Sequence, residues 1–181
     1  MKKIAIALMC TILATGAAMA QPAKKFTFGP KVGFDLTHFW GKHVVHDVKF
    51  GYQAGAFAEF GVTNKFAIAP EVVFAAQGGK GDHVSYTTNY INIPVMLKFY
   101  VAPDFSIDFG PQVGINVYSK CDGEDVSDAT KSVDFGAGLG ATYNLARDVF
   151  VQARYTMGFT EVFKVGEAKN GNAQIAIGYR F

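Results

Sequence analysis

Val149-Phe-Val-Gln-Ala-Arg-Tyr-Thr-Met-Gly-Phe-Thr160 decides the fold. Val149, Val151, Ala153, Tyr155, Met157 and Phe159 fall on one face of an extended chain. Gln152, Arg154, Thr156, Gly158 and Thr160 fall on the other, with Phe150 the exception. A period of two is the signature of a strand whose faces meet different surroundings. The C-terminal stretch repeats it: Ala173, Ile175, Ile177, Tyr179 and Phe181 alternate with Asn172, Gln174, Ala176, Gly178 and Arg180.

Working outward, the same pattern predicts eight strands, at 26–39, 50–62, 66–77, 89–101, 105–118, 132–145, 149–160 and 171–181. Most are about twice the length of a soluble strand and suit a tilted crossing of a bilayer. Thr63-Asn64-Lys65, Ala102-Pro103-Asp104 and Ala146-Arg147-Asp148 read as tight turns. The other connections, at 40–49, 78–88, 119–131 and 161–170, are longer and polar. Short turns on one rim and long loops on the other predict an all-β, eight-stranded antiparallel up-and-down transmembrane barrel. An even strand count puts both termini on the short-turn, periplasmic side. Pro70, Pro94 and Pro111 interrupt strands, so bulges or ends of pairing are expected beside them.

Polarity assigns the faces. Lys31, Asp35, Glu59, Glu71, Lys98, Asp108, Asp134, Arg154 and Arg180 share one face with Gln53, Gln77, Asn92, Gln112, Asn116 and Gln152. The opposite face is almost wholly apolar: Val32, Phe34, Leu36, Val72, Phe74, Ile107, Leu139, Ile175 and Ile177 are typical. Eight strands enclose too little volume for so many large apolar side chains. Near-balanced charges fit a small lumen, where they pair. The charged residues are therefore expected to form a lumen-facing polar network, with Phe57, Tyr90, Met96 and Tyr100 filling further space. Gly136, Gly138 and Gly140 read as a lumen-facing stripe that leaves room for bulky neighbours. Phe28, Phe60, Phe66, Phe99, Phe105, Tyr143, Tyr179 and Phe181 fall near the short-turn rim; Trp40, Tyr52, Phe74 and Phe159 fall towards the other. Two interfacial girdles follow.

Composition agrees. The chain has 181 residues, 50% hydrophobic and 18% charged, with 20 Gly and 17 Phe. After residue 20 no stretch has the roughly eighteen uninterrupted apolar residues of a spanning helix. Residues 1–20 read as a signal peptide, with Lys2 and Lys3 basic, Ile4 to Leu13 apolar and Ala18-Met-Ala20 as the cleavage signal. Residues 21–181 then form the barrel domain. Removing the leader takes away two Lys and no acid, so the formal charge of +2 falls to zero. That balance implies no nucleic-acid partner. Only Cys121 would remain, which excludes an intramolecular disulfide.

The run Tyr90-Ile-Asn-Ile-Pro-Val-Met-Leu-Lys98 resembles the Y-I-x-I-P-L-x-x-K strand of PorT-like outer-membrane β-barrel proteins, small outer-membrane proteins of Bacteroidetes type. Gly55-Ala-Phe-Ala-Glu59, Pro70-Glu71, Gln77-Gly-Gly-Lys80, Gly110-Pro-Gln-Val-Gly114, Asp134-Phe-Gly136, Ala153-Arg-Tyr155 and Gly178-Tyr-Arg-Phe181 resemble the same family, in order. Together they cover nearly the whole chain after the leader. The resemblance implies an outer-membrane barrel and no catalytic residues. The ending, with Tyr179 and the terminal Phe181, resembles the signal read by the barrel-assembly machinery.

No enzyme motif is present. His38, His43, His46, His83 and Ser85 have no spacing that connects them into a nucleophile-and-base set. His43-x-x-His46, with Asp47 and His83, is a weak metal-spacing signal without a helix or further ligands, and the acidic run Asp122, Glu124, Asp125 and Asp128 lacks the Gly and terminal Glu placement of a calcium loop. The sequence thus assigns no catalytic residue, no cofactor and no metal site. It predicts a non-enzymatic outer-membrane protein with a structural, surface-interaction or secretion-assembly role. The alternatives are a narrow channel for small solutes and a lipid A-modifying enzyme. Its expected partners are outer-membrane lipid, the barrel-assembly machinery, and envelope or secretion-system proteins.

Overall fold

The computed structural model describes residues 26–40, 48–80, 85–121, 124–125, 132–161 and 169–181. The expected signal peptide and most of the long loops lie outside them. Eight long strands form: β1 Phe26–Trp40, β2 Lys49–Gly61, β3 Phe66–Lys80, β4 Ser85–Ala102, β5 Phe105–Cys121, β6 Val133–Asn144, β7 Val149–Glu161 and β8 Lys169–Tyr179. A two-residue strand, Glu124–Asp125, folds back onto the end of β5.

Each long strand pairs antiparallel with the next. β1 pairs with β8 over Lys31↔Gly178 to Trp40↔Lys169, and the barrel closes. The ladder continues past the last strand residue, where Arg180 N–H donates to Asp148 O and Phe181 N–H to Phe28 O. The tight turns are pinned locally. Val62 and Thr63 N–H both donate to Phe66 O, and Leu145 and Ala146 N–H both donate to Val149 O.

The strands overrun several expected ends. Gly78–Lys80 pair with Ser85–Thr87, and Gln77 pairs with Thr88, so the connection read as 78–88 shrinks to 81–84. Likewise 119–121 continue β5. These extensions read Gly-Gly-Lys, Ser-Tyr-Thr-Thr and Ser-Lys-Cys. The apolar alternation fades there although the hydrogen-bonded ladder does not.

Of the two expectations for the prolines, lapses of pairing occur beside all three and bulges do not. The register is the same on both sides of each gap, which falls between Pro70↔Val95 and Val73↔Asn92 in β3–β4, between Phe57↔Glu71 and Phe60↔Ile68 in β2–β3, and between Pro94↔Gln112 and Leu97↔Phe109 in β4–β5. The β5–β6 ladder runs unbroken through Pro111↔Ala137. The register shifts lie elsewhere, at Asn89/Tyr90 and Tyr100/Ala102 in β4–β5 and at Met157/Glu161 in β7–β8. A missing N–H costs one ladder bond without forcing an extra residue into the strand.

The outer surface is apolar. Ile175 is 68% exposed, Leu139 62% and Phe34 60%. Exposure of this extent is an interface rather than scattered surface apolarity. At the short-turn rim Phe26, Phe28, Phe60, Tyr179 and Phe181 touch in series, with ring centroids 5.0–5.8 Å apart. Tyr52, Phe74 and Phe159 are exposed towards the other rim; the Trp40 side chain lies outside the described residues.

A charge on this surface should be costly in lipid at mid-height and tolerated at the rim. Ile175→Arg is expected to lower unfolding stability in phospholipid vesicles by about 2–4 kcal/mol, and Leu145→Arg, beside a turn, by no more than about 1 kcal/mol. Equal losses in a urea titration would contradict the bilayer placement.

Candidate functional site: the barrel lumen

Alternation carries one side chain in two into the lumen. Lys31, Asp35, Glu59, Glu71, Lys98, Asp108, Arg154 and Arg180 are all buried there, at 0–9% exposure. Asp134 is half-buried at the long-loop end.

Glu71, on β3, is gripped from two sides. Lys31 Nζ donates to its Oε2 at 2.7 Å. From β7, across the barrel, Arg154 clamps both oxygens, Nη1 to Oε2 at 3.0 Å and Nη2 to Oε1 at 2.6 Å. A planar guanidinium fork matches a carboxylate edge, which favours Arg at such a site. Gly138 leaves the space that the Arg154 stem and Met96 occupy; a Cβ there would lie 3.3 Å from Arg154 Cδ and 3.4 Å from Met96 Cε. Gly136 and Gly140 have a different reason to be Gly: a Cβ on either would press on β7 backbone oxygens, at 2.6 Å from Met157 O and 2.5 Å from Ala153 O.

Gln152 joins this triad to the next group. Its Oε1 accepts from Lys31 Nζ at 2.9 Å, and its Nε2 donates to Asp108 Oδ2 at 3.1 Å. Ser106 also donates to Asp108, at 2.6 Å, and Thr142 makes a further short bond to it. Asp108 is thus held by neutral donors.

Nearer the short turns a second cluster forms round Glu59. It accepts from Lys98 Nζ at 3.1 Å and from Tyr100 OH, and Arg180 Nη2 lies 3.7 Å away. Arg180 Nη1 donates to Asn144 at 2.7 Å. Phe150, the residue that broke the alternation in its strand, is the floor of this cluster. It is 2% exposed and meets Phe57 edge-to-face at 5.1 Å. Lys98 Nζ and Arg180 Cζ sit 5.6 and 4.6 Å from its ring centroid. An aromatic face offers a buried cation a second partner. Gly178 makes the space: a Cβ there would collide with the Phe150 ring.

Towards the long loops the lumen turns to amides. Gln53 donates to Asp35 at 3.0 Å and to Gln174 at 3.1 Å, Gln174 to Thr156 at 3.3 Å, and Asn170 to Gln77 at 2.8 Å. The cavity at this end measures about 10 Å³, room for about one water. The pairing partners were beyond sequence reasoning, because parity gives the side of a strand and not the reach of a side chain across the barrel.

Of the His and Ser residues weighed for catalysis, only the His38 side chain is described. It lies against Tyr155, with Nε2 and OH 3.5 Å apart and rings 6.2 Å apart. His43, His46, Asp47, His83 and the Ser85 side chain fall outside the described residues, as do the side chains of the acidic run. Phe181 is on the outer face at 67% exposure, beside Tyr179.

The sequence model for the outer membrane protein beta-barrel domain matches residues 19–164. No curated protein sequence matches the chain. Among solved structures, Neisserial surface protein A is similar with a TM-score of 0.59 and 14% identity, covering 86% of this chain and 97% of that one. Ail, the attachment invasion locus protein of Yersinia pestis in complex with the heparin analogue sucrose octasulfate, is similar at 0.56 and 16%, covering 87% and 99%. A de novo designed transmembrane β-barrel is similar at 0.50 and 13%, covering 90% and 98%. At these identities the likeness is one of fold.

Removing one partner from a buried ion cluster strands the others. Glu71→Gln should leave Lys31 and Arg154 facing each other without an anion, at a cost of about 3–5 kcal/mol. Glu59→Gln should cost clearly less, because Lys98 and Arg180 keep the Phe150 ring. Unfolding titrations of the two variants in lipid vesicles measure the difference; equal losses would mean that the Glu71 triad has no special weight.

Proposed function

The chain belongs to the outer membrane protein β-barrel domain family, and from that premise we propose that it works as a plugged, non-enzymatic barrel that presents its long connections at the cell surface. The observation that carries the proposal is the Glu71 triad. Lys31 and Arg154 meet Glu71 from different walls of the barrel, and Gln152 and Asp108 extend the contact. A solute crossing the lumen would have to separate buried charges whose repairing in water is prevented by the walls. The cavity at the long-loop end holds about 10 Å³, room for about one water. The interior is thus used for rigidity, and the role is structural, surface-interacting or in a secretion assembly.

The same reading extends to the rest of the chain. Residues 1–20 direct export and are removed, leaving 21–181 as the barrel. Both termini sit in the periplasm, because the described chain begins and ends at the short-turn rim, where Phe181 hydrogen-bonds to Phe28. Tyr179 and Phe181, exposed on the outer face, are the contacts offered to the barrel-assembly machinery. The PorT-like kinship is supported by the placement of Tyr90, Pro94 and Lys98, all turned into the lumen from β4. Envelope or secretion-system proteins are then the natural partners of the loops.

Planar-bilayer recording tests the plug. The purified protein is expected to give no reproducible conductance steps at moderate voltage, and Glu71→Ala combined with Arg154→Ala should introduce them. Uniform steps from the unaltered protein would replace the plug with a narrow channel.

A further inference from the structure

The long-loop end of the lumen has an excess of hydrogen-bond acceptors. Asp134 and Asn172 both line the small cavity there, and the Oδ1 of each is buried without a hydrogen-bond partner among the described residues. Asn172 is 4% exposed. Its amide is oriented from outside the cavity: it hydrogen-bonds the Asp35 carboxylate, which in its ionised form only accepts, so the amide nitrogen faces Asp35 and the oxygen faces the cavity. Asp134 is held in place by Thr160. The other lining side chains include Gln77, Tyr90, Asn92 and Gln112, and no Lys or Arg is among them. Deeper in the lumen the mismatch is of the opposite kind, with Nε of both Arg154 and Arg180 left over as donors.

Charge is divided in the same way. Lys31, Lys98, Arg154 and Arg180 are committed to Glu59 and Glu71, and Asp108 is held by Ser106, Thr142 and Gln152. Asp35 and Asp134 make no ion pair among the described residues. At the long-loop end the described residues thus leave two carboxylates without an ion pair, and Asp134 lines the cavity. A buried oxygen-lined cavity with that deficit attracts a positive ion.

We infer that this cavity binds one hard, oxygen-seeking metal cation of the calcium class. Asp134 supplies the charged ligand, Asn172 Oδ1 a neutral one, and the neighbouring amide oxygens and water complete the shell, with the Tyr90 ring beside it as a wall. Calcium accepts mixed carboxylate, amide and water oxygens in flexible geometry, whereas magnesium demands a near-ideal octahedron. No three His, Cys, Asp or Glu side chains converge among the described residues, which disfavours a transition metal. With one carboxylate in the shell, the affinity should fall in the weak extracellular range of about 10⁻⁴–10⁻³ M.

Terbium is a hard-cation probe whose luminescence is sensitised by a nearby phenol, and Tyr90 lines the cavity. Titrating the folded full barrel in detergent with Tb³⁺ should give saturable, calcium-competed luminescence. Asp134→Asn should weaken binding about tenfold or more, with folding checked by the mobility shift between unheated and boiled gel samples. Tyr90→Phe should dim the luminescence while leaving the calcium competition midpoint in place. If Asp134→Asn does not fold, Asn172→Asp provides the second arm: an added carboxylate should tighten Tb³⁺ about tenfold. Absence of saturable luminescence, or luminescence indifferent to Asp134→Asn or Tyr90→Phe, would overturn the site and place any bound ion on other carboxylates. An Asn172→Asp variant that folds and binds no more tightly would overturn it too.

Discussion

Lipid offers a peptide group no hydrogen-bond partner, and the remainder of this architecture follows from that one constraint. The edge of β1 can be satisfied only by β8. Once the sheet closes, each strand has a lipid face and a lumen face, and the two faces must differ in polarity. The outer face loses nothing by being Ile, Leu and Phe. The inner face, cut off from lipid and too narrow for bulk water, must carry polar groups that satisfy each other. Glu71 between Lys31 and Arg154 is the fullest expression of that demand.

Inside a low-dielectric lumen such clusters are not a cheap source of stability. Desolvating three charges is costly, and the clamp mainly offsets that cost. What the network supplies is specificity. A strand slipped by one residue would turn Arg154 into lipid and Tyr155 into the lumen. Phe150 works towards the same end, since its ring fits only where Gly178 leaves a gap.

The architecture was legible in the sequence because the alternation is clean wherever a strand crosses lipid, as in 149–160 and 171–181. It faded at Gly78–Lys80 and Ser85–Thr87, which remain paired although their sequence, Gly-Gly-Lys and Ser-Tyr-Thr, has no apolar alternation. The prolines took the milder of the two expected forms: bridges lapse beside Pro70, Pro94 and Pro111, yet Pro70↔Val95 and Pro111↔Ala137 stay in register and no bulge forms there. Parity placed Lys31 and Arg154 on one face, but their meeting at Glu71, across 40 and 83 residues of chain, depends on barrel closure and side-chain length. The family-like run in β4 gains a physical meaning as well. Tyr90, Pro94 and Lys98 are spaced by four, so all three point inward, while Ile91, Ile93 and Val95 face out.

The ion clusters have one further property, which concerns time. Each of these buried glutamates holds one cation from β1–β4 and one from β7 or the chain end: Lys31 and then Arg154 at Glu71, Lys98 and then Arg180 at Glu59. A sheet of β1 to β4 that reached the membrane first would already carry both glutamates neutralised by its own lysines. The arginines of β7 and the chain end would then arrive as late reinforcements, fastening a wall that had never been exposed to lipid with an unmatched glutamate. Growth of the barrel onward from a four-stranded N-terminal sheet is thereby compatible with both glutamates being paired at each later width.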